Sequence, residues 1–161
     1  MANIIGYYQS PIGVIEIIAN NESLIAVKFL DEKAGINLLQ TENTDIIDKT
    51  ISQLSEYFKG QLKQFDLPVT FKGSVFQIKV WEQLMNIPFG KTISYLQLAK
   101  SLGSERLVRA VGNANGKNPI AIIVPCHRVI GINSQLVGYA GGLWRKQWLL
   151  EHESNQKTFQ L

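Results

Sequence analysis

Residues 125–129 read Pro-Cys-His-Arg-Val, and Cys126 is the only cysteine in the 161-residue chain. A thiol, an imidazole and a guanidinium therefore follow one another. A cysteine thiolate is a strong nucleophile, and a neighbouring imidazolium or arginine lowers the thiol pKa from its ordinary value of about 8.5. The chemistry on offer is covalent transfer of a group to sulfur. A lone cysteine also serves as a small buried hydrophobe, so the thiol alone does not decide between the two. Neighbours along a strand do not face each other, so His127 could act as a base only through a bridging water or after a backbone turn. A base also needs a group that orients it. Glu153 is the better candidate and Glu151 the second, although acids there also read as a solvated helix end.

The elements that must position these groups fall into two parts. Residues 4–8, 14–19 and 24–29 are rich in β-branched and aromatic residues, with turn chemistry at residues 10–13 and at Asn20-Asn21, and predict an antiparallel meander. Helical spacing of Ile47, Ile51, Leu54 and Phe58 predicts a helix over 45–59, capped by Asn43 or Thr44 and closed by Gly60. A connector follows, with a short strand over 67–71, and the boundary falls near residue 72. Beyond it, Ser74 with Gln77 and Ser94 with Gln97 form two capping-box patterns. They open helices over 76–85 and 95–102. Gly103 suits a left-handed position after the second, and Ser104 caps a third over 105–114. Short helices joined through a glycine make a helix-turn-helix candidate. Residues 120–124 predict a buried strand, 129–130 another, 131–142 a glycine-rich loop, and 144–153 a final helix. The tail after Ser154 is polar and reads as frayed.

Charge divides along the same line. Residues 1–72 carry six lysines and no arginine against nine acids, a net −3, whereas residues 73–161 carry ten basic residues against four acids, a net +6. The third helix is thin, with Ala110, Gly112, Ala114 and Gly116, and its Arg106, Arg109 and Asn113 share a face. Gly112 is unfavourable within a helix by about 1 kcal/mol relative to alanine. That composition suits close approach to a nucleic-acid groove, and the charge split suggests a polyanionic partner. One cysteine excludes an intrachain disulfide and a cysteine-based zinc cluster and fits a reducing compartment. With no stretch of about 18 apolar residues and no basic segment leading an apolar one, the expectation is a cytoplasmic protein with no membrane partner. Together these features suggest covalent chemistry on a nucleic acid. A cysteine hydrolase and a helix-turn-helix regulator with a dispensable cysteine are the alternatives.

The motifs resemble those of the O6-alkylguanine-DNA alkyltransferases, also called methylated-DNA–protein-cysteine methyltransferases. The resemblance rests on Phe76, Val80-Trp81, the run Ile87-Pro88-Phe89-Gly90-Lys91-Thr92-Ile93-Ser94-Tyr95, Arg109-Ala110-Val111-Gly112, Asn118-Pro119, Pro125 to Val129, and Gly138-Tyr139-Ala140-Gly141-Gly142. It covers residues 73–153 closely and the first 72 in general layout. It implies an α+β fold. Residues 1–72 would form a ribonuclease-H-like antiparallel sheet with a helix, and residues 73–161 a winged-helix-like helix-turn-helix domain carrying the cysteine. It implies direct-reversal repair in which an alkyl group on O6 of guanine, and on O4 of thymine, moves irreversibly to Cys126, once per molecule. No cofactor or metal would be needed. The partner would be double-stranded DNA containing O6-alkylguanine, bound by a monomer.

Residue roles are likewise implied by the resemblance. Cys126 would be the nucleophile, His127 its base through a bridging water, Glu153 the orienter, and Asn118 the brace before the active-site segment. Tyr95 would contact the base and help protonate the leaving guanine. Carbonyls of Cys126 and Val129 would read the guanine amino group, and the Ala140 N–H beside Tyr139 would face O6. Arg109 would fill the gap left by the extruded nucleotide, and the DNA-contacting set would comprise Arg109, Arg106, Asn113, Arg128 and Ser94. Some members carry serine where this chain has Ala140, and some bind zinc in the N-terminal part. No cysteine stands there in this chain and no histidine before His127.

Overall fold

Antiparallel pairing follows directly from the turns. In the computed structural model, which describes residues 2–30 and 41–154, β1 (Ile4–Ser10), β2 (Gly13–Ala19) and β3 (Leu24–Phe29) form a sheet in that order. The Ser10 hydroxyl accepts from the Ile12 N–H at 3.1 Å and donates to the Gly13 carbonyl at 2.6 Å, which closes the first turn. Asn20 Oδ1 accepts the N–H groups of Glu22 and Ser23, each at 2.8 Å, and closes the second. Ile15, Ile17 and Ala19 alternate onto the buried face of β2. Helix α1 (Asp45–Phe58) begins at Thr44, whose hydroxyl caps the Ile47 N–H, and buries Ile47, Leu54 and Tyr57. It crosses β1 at Gly6, where any Cβ would collide with the Ile47 side chain.

The chain divides into two compact units, one of Met1–Lys72 with Pro119–Ala121 and the other of Gly73–Asn118 with Ile122–Leu161. Two expected strands are each only a bridge in the first unit. Val69 pairs with Leu24, and Ile120 pairs with Val27. The free edge of β3 is thus shared between two short segments, neither long enough to form a ladder. The 120–124 strand fails for a second reason. Ile122 takes a left-handed backbone with φ +69°, a conformation disfavoured for a β-branched residue, and the chain turns instead of extending. The carbonyl of Val124, which a strand partner would have taken, accepts from Asn118 Nδ2 at 2.8 Å.

In the second unit both predicted capping boxes form. Ser74 and Gln77 open α2 (Val75–Leu84), and Ser94 and Gln97 open α3 (Tyr95–Ser101). Gly103, at φ +115°, ends α3. The helix expected over 105–114 is two elements. A 3₁₀ turn, Glu105–Leu107, capped by Ser104, leads into α4 (Val108–Gly116). Trp81 of α2 donates its indole N–H to the Ala114 carbonyl at 2.9 Å and anchors the end of α4. A second 3₁₀ turn, Cys126–Arg128, runs into β5 (Val129–Ile130), which pairs in parallel with β4 (Ile93–Ser94). A 3₁₀ turn at Ile132–Ser134 interrupts the loop before α5 (Leu143–Ser154). The tail expected to fray lies outside the described residues.

Candidate active site

The 3₁₀ turn resolves the problem of neighbouring residues. Cys126, His127 and Arg128 are all buried on it, and His127 and Arg128 converge on one carboxylate. Helix α5 brings Glu153 to the turn. Its Oε2 lies 2.8 Å from His127 Nε2, and Arg128 grips the same carboxylate through Nε to Oε1 at 2.8 Å and through the second guanidinium arm to Oε2 at 3.0 Å. Arg128 also donates to the Ile87 carbonyl. Arg128 was expected to contact DNA. It is instead 6% exposed and committed to this pair, because only a guanidinium supplies a fork that matches a buried carboxylate.

Electrostatics assign the protons. Burial alone would raise the Glu153 carboxyl, but His127 and Arg128 outweigh it and hold it well below the usual carboxylate range. Burial pushes His127 down, so its imidazole is neutral. The ionised carboxylate then requires the ring proton on Nε2. Nδ1 is left as the basic nitrogen, buried and without a protein partner among the described residues. The Cys126 thiol does not behave as the sequence suggested. Burial pushes it up, against the opposing pull of Asn118 and Lys146. The thiol is therefore protonated at rest, and a base is required to release it.

Tyr95, at the start of α3, donates its hydroxyl to the Val137 carbonyl at 2.7 Å. Burial raises its pKa, so it remains a neutral phenol. Tyr95, Val108, Arg109, Gly112, Val137 and Gly138 line a groove of about 430 Å³. Arg106, Arg109 and Asn113 are exposed, as are Ala140 and Val137. Ser94 is half-buried, and its oxygen accepts the Gln97 N–H of the cap. Val129 is buried, and the Tyr139 hydroxyl is buried without a partner among the described residues.

Two contacts escaped the sequence reading, which placed Asn115 near the pocket only as a residue bearing on alkyl size and did not single out Lys146. Asn115 donates from Nδ2 to the Cys126 carbonyl at 3.3 Å. Lys146 is fully buried and reaches the Tyr95 hydroxyl at 3.4 Å. A helical signal existed for each. Asn115 falls four residues after the buried Val111, and Lys146 falls seven before Glu153 on the face that carries Leu149 and Leu150.

A buried thiol in the same unit as a groove lined by Arg109 of α4 is suited to a DNA-binding protein that takes a group from its substrate onto cysteine. Comparison with known proteins agrees. Residues 75–155 match the DNA-binding domain of 6-O-methylguanine DNA methyltransferase, and residues 3–71 match its ribonuclease-like domain. The chain is 45% identical over 150 residues to a methylated-DNA–protein-cysteine methyltransferase of Methanosarcina acetivorans, covering 92% of this chain and 96% of the relative. It superposes on the crystal structure of Mycobacterium tuberculosis O6-methylguanine methyltransferase with a TM-score of 0.82 at 40% identity, covering 94% of each chain. The structure of Mycobacterium tuberculosis OGT in complex with DNA gives a TM-score of 0.82 at 41% identity over 93% of each chain. The chain belongs to the O6-alkylguanine-DNA alkyltransferase family. It has the family's α+β fold and its activity, direct-reversal repair by alkyl transfer from DNA to a cysteine. Among the described residues, no helix is long and apolar enough to cross a membrane.

Proposed function

We propose that Cys126 is the acceptor and that duplex DNA carrying O6-alkylguanine is the substrate, with O4-alkylthymine as a second. The carrying observation is His127. Its Nε2 is engaged by Glu153, its Nδ1 has no protein partner among the described residues, and the residue before it is the chain's only cysteine. Nδ1 takes the thiol proton through a bridging water. The thiolate attacks the alkyl carbon, the S–C bond forms, the C–O6 bond breaks, and the electron pair passes to the guanine. The Tyr95 phenol then donates the proton that the leaving base requires and is reprotonated in turn, so the His127 proton is accounted for. Asn118 holds the Val124 carbonyl and shapes the turn before the thiol.

To bring the base to Sγ the nucleotide must leave the stack, as in other enzymes that act on a base. Exposed Arg109, at the mouth of the groove, fills the gap, with Arg106 and Asn113 against the groove and backbone. Carbonyls of Cys126 and Val129 and the Ala140 N–H read the base. The protein acts as a monomer in this reading, and its single thiol supports one reaction per molecule. Incubation with duplex DNA bearing O6-methylguanine, followed by intact mass, should add one methyl mass and no more. Cys126→Ser should add none while still binding DNA. A folded wild-type protein that gains no mass would refute the assignment.

A further inference from the structure

Asn115 stands in the last turn of α4 and is 4% exposed. Val108, Gly112 and Asn115 fall at i, i+4 and i+7, so they share one face of the helix. The first two line the groove beside Tyr95 and Arg109. Asn115 continues that stripe to the reacting turn, where its Nδ2 donates to the Cys126 carbonyl at 3.3 Å. The carbonyl fixes which end of the amide is which, because turning the amide over would set two acceptors against each other. Oδ1 is therefore aimed away from that carbonyl. It is buried with no hydrogen-bond partner among the described residues. Tyr95 also feels the Asn115 side chain, which opposes the rise that burial imposes on the phenol. A buried acceptor without a donor is unfavourable. The helix cannot easily turn to relieve it, since the Trp81 indole holds the adjacent Ala114 carbonyl.

We propose that Asn115 is a specificity-determining residue, whose Oδ1 accepts an N–H of the 2-amino group of the extruded O6-alkylguanine while its Nδ2 holds the Cys126 carbonyl in place for the same group. This rests on Cys126 being the acceptor and on alkylated bases in DNA being the substrates. The chemistry of the base edge selects the occupant. Alkylation at O6 leaves guanine N1 without a proton, so N1, N3, O6 and N7 are all acceptors and the 2-amino group holds the only N–H bonds. The orphan Oδ1 is satisfied by that group and by no other part of the edge. O4-alkylthymine has no N–H at all, since N3 has lost its proton and O2 and O4 are acceptors. It leaves Oδ1 unpaired, as does O6-alkylhypoxanthine, the same purine without the amino group. A site with a buried polar group discriminates against the analogue that leaves the group unpaired. Oδ1 joins the Cys126 and Val129 carbonyls as an acceptor, with one N–H shared between neighbours. Asn115 thus ranks guanine lesions above thymine lesions.

The test is single-turnover methyl transfer from duplexes identical but for one base, which is O6-methylguanine, O6-methylhypoxanthine or O4-methylthymine, by wild type, Asn115→Leu and Asn115→Ala. Wild type should favour O6-methylguanine over O6-methylhypoxanthine by about tenfold or more. In Asn115→Leu that preference should shrink roughly fivefold or more, with the guanine rate falling while the hypoxanthine and thymine rates hold or rise. Asn115→Ala gives the same reading should leucine prevent folding. A merely structural role would slow all three bases alike, and a water held at Oδ1 would not distinguish them. An unchanged preference in either folded variant would therefore overturn the proposal. So would a wild type that reacts equally fast with O6-methylguanine and O6-methylhypoxanthine, a result that needs no variant. Failure of wild type to take a methyl group from O6-methylguanine would count against the acceptor assignment instead, separately from Asn115.

Discussion

The two units bury their polar groups differently. In the first, the buried polar side chains among the described residues are hydroxyls, Ser10, Ser23 and Thr50. In the second they are Asn115, His127, Arg128, Arg145, Lys146 and Glu153. A hydroxyl is satisfied locally, as Thr50 shows by donating to the Ile46 carbonyl one helical turn back. A charge needs partners from distant parts of the chain. The first unit is thus built as a plain core of Ile15, Ile17, Leu24, Leu54 and Tyr57. The second accepts desolvated charges, which stabilise little when paired and destabilise strongly when a partner is lost. The difference shows where folding has been compromised for chemistry.

The sharpest way to break the contrast is Glu153→Ala. It leaves Arg128 buried without its carboxylate and His127 without its orienter. Methyl transfer should be lost, and urea unfolding should show a destabilisation of about 3–5 kcal/mol. Retained repair would mean that the charge cluster is structural only. Leu54→Ala in the first unit should destabilise by a comparable 2–5 kcal/mol through a cavity. Yet its single-turnover rate, measured where the protein remains folded, should match wild type. A matching loss of rate would erase the division of labour.

Acid should separate the units next. His127 is pushed down by burial and Glu153 is held down by its partners. For each, the unfolded chain takes up protons first. Their stabilisation is complete above the ordinary values, about 6.5 and 4.3 respectively, and is lost as pH falls below each in turn. Urea midpoints should therefore fall in two stages on acidification, and Glu153→Gln should remove the lower stage. A single stage unaffected by that substitution would contradict the pairing. The smallest effect is expected at Gly112. A Cβ there would meet only the Tyr95 ring, at an ordinary 3.8 Å. Gly112→Ala should thus stabilise α4 by up to about 1 kcal/mol while narrowing the groove and slowing repair of duplex DNA. Faster or unchanged repair would mean that the missing side chain serves no ligand.

Features set by short stretches of chain were legible in the sequence. Both capping boxes, the Asn20 turn, the Gly103 stop and the three-stranded meander depend on residues a few positions apart, and the structure has them. The reactive Cys126-His127 pair was legible by type. What the sequence concealed depends on distant partners or on burial. Arg128 looks like a surface cation until Glu153, 25 residues on, is brought to it. The thiol looks acidified by its neighbours until its desolvation is counted. Lys146 reads as one more helical lysine, its place on the face of Leu149 and Leu150 being the one local sign of its burial. Ile122 reads as a strand residue because its type favours extension, and only the turn before Cys126 requires the left-handed backbone.

The bond from the Trp81 indole to the Ala114 carbonyl has an optical consequence. Ala114 is followed by Asn115, whose amide holds the Cys126 carbonyl, so the indole is two short steps from the reacting turn. Trp144 is half exposed, and Trp148 stacks on His152 at 4.9 Å, leaving Trp81 as the tryptophan sealed within the site's own framework. Any shift of the turn on alkylation is relayed to the end of α4 and alters the polarity around a single buried fluorophore. Spent and unspent molecules would then differ in emission without a label, and the extent of repair could be followed in a cuvette.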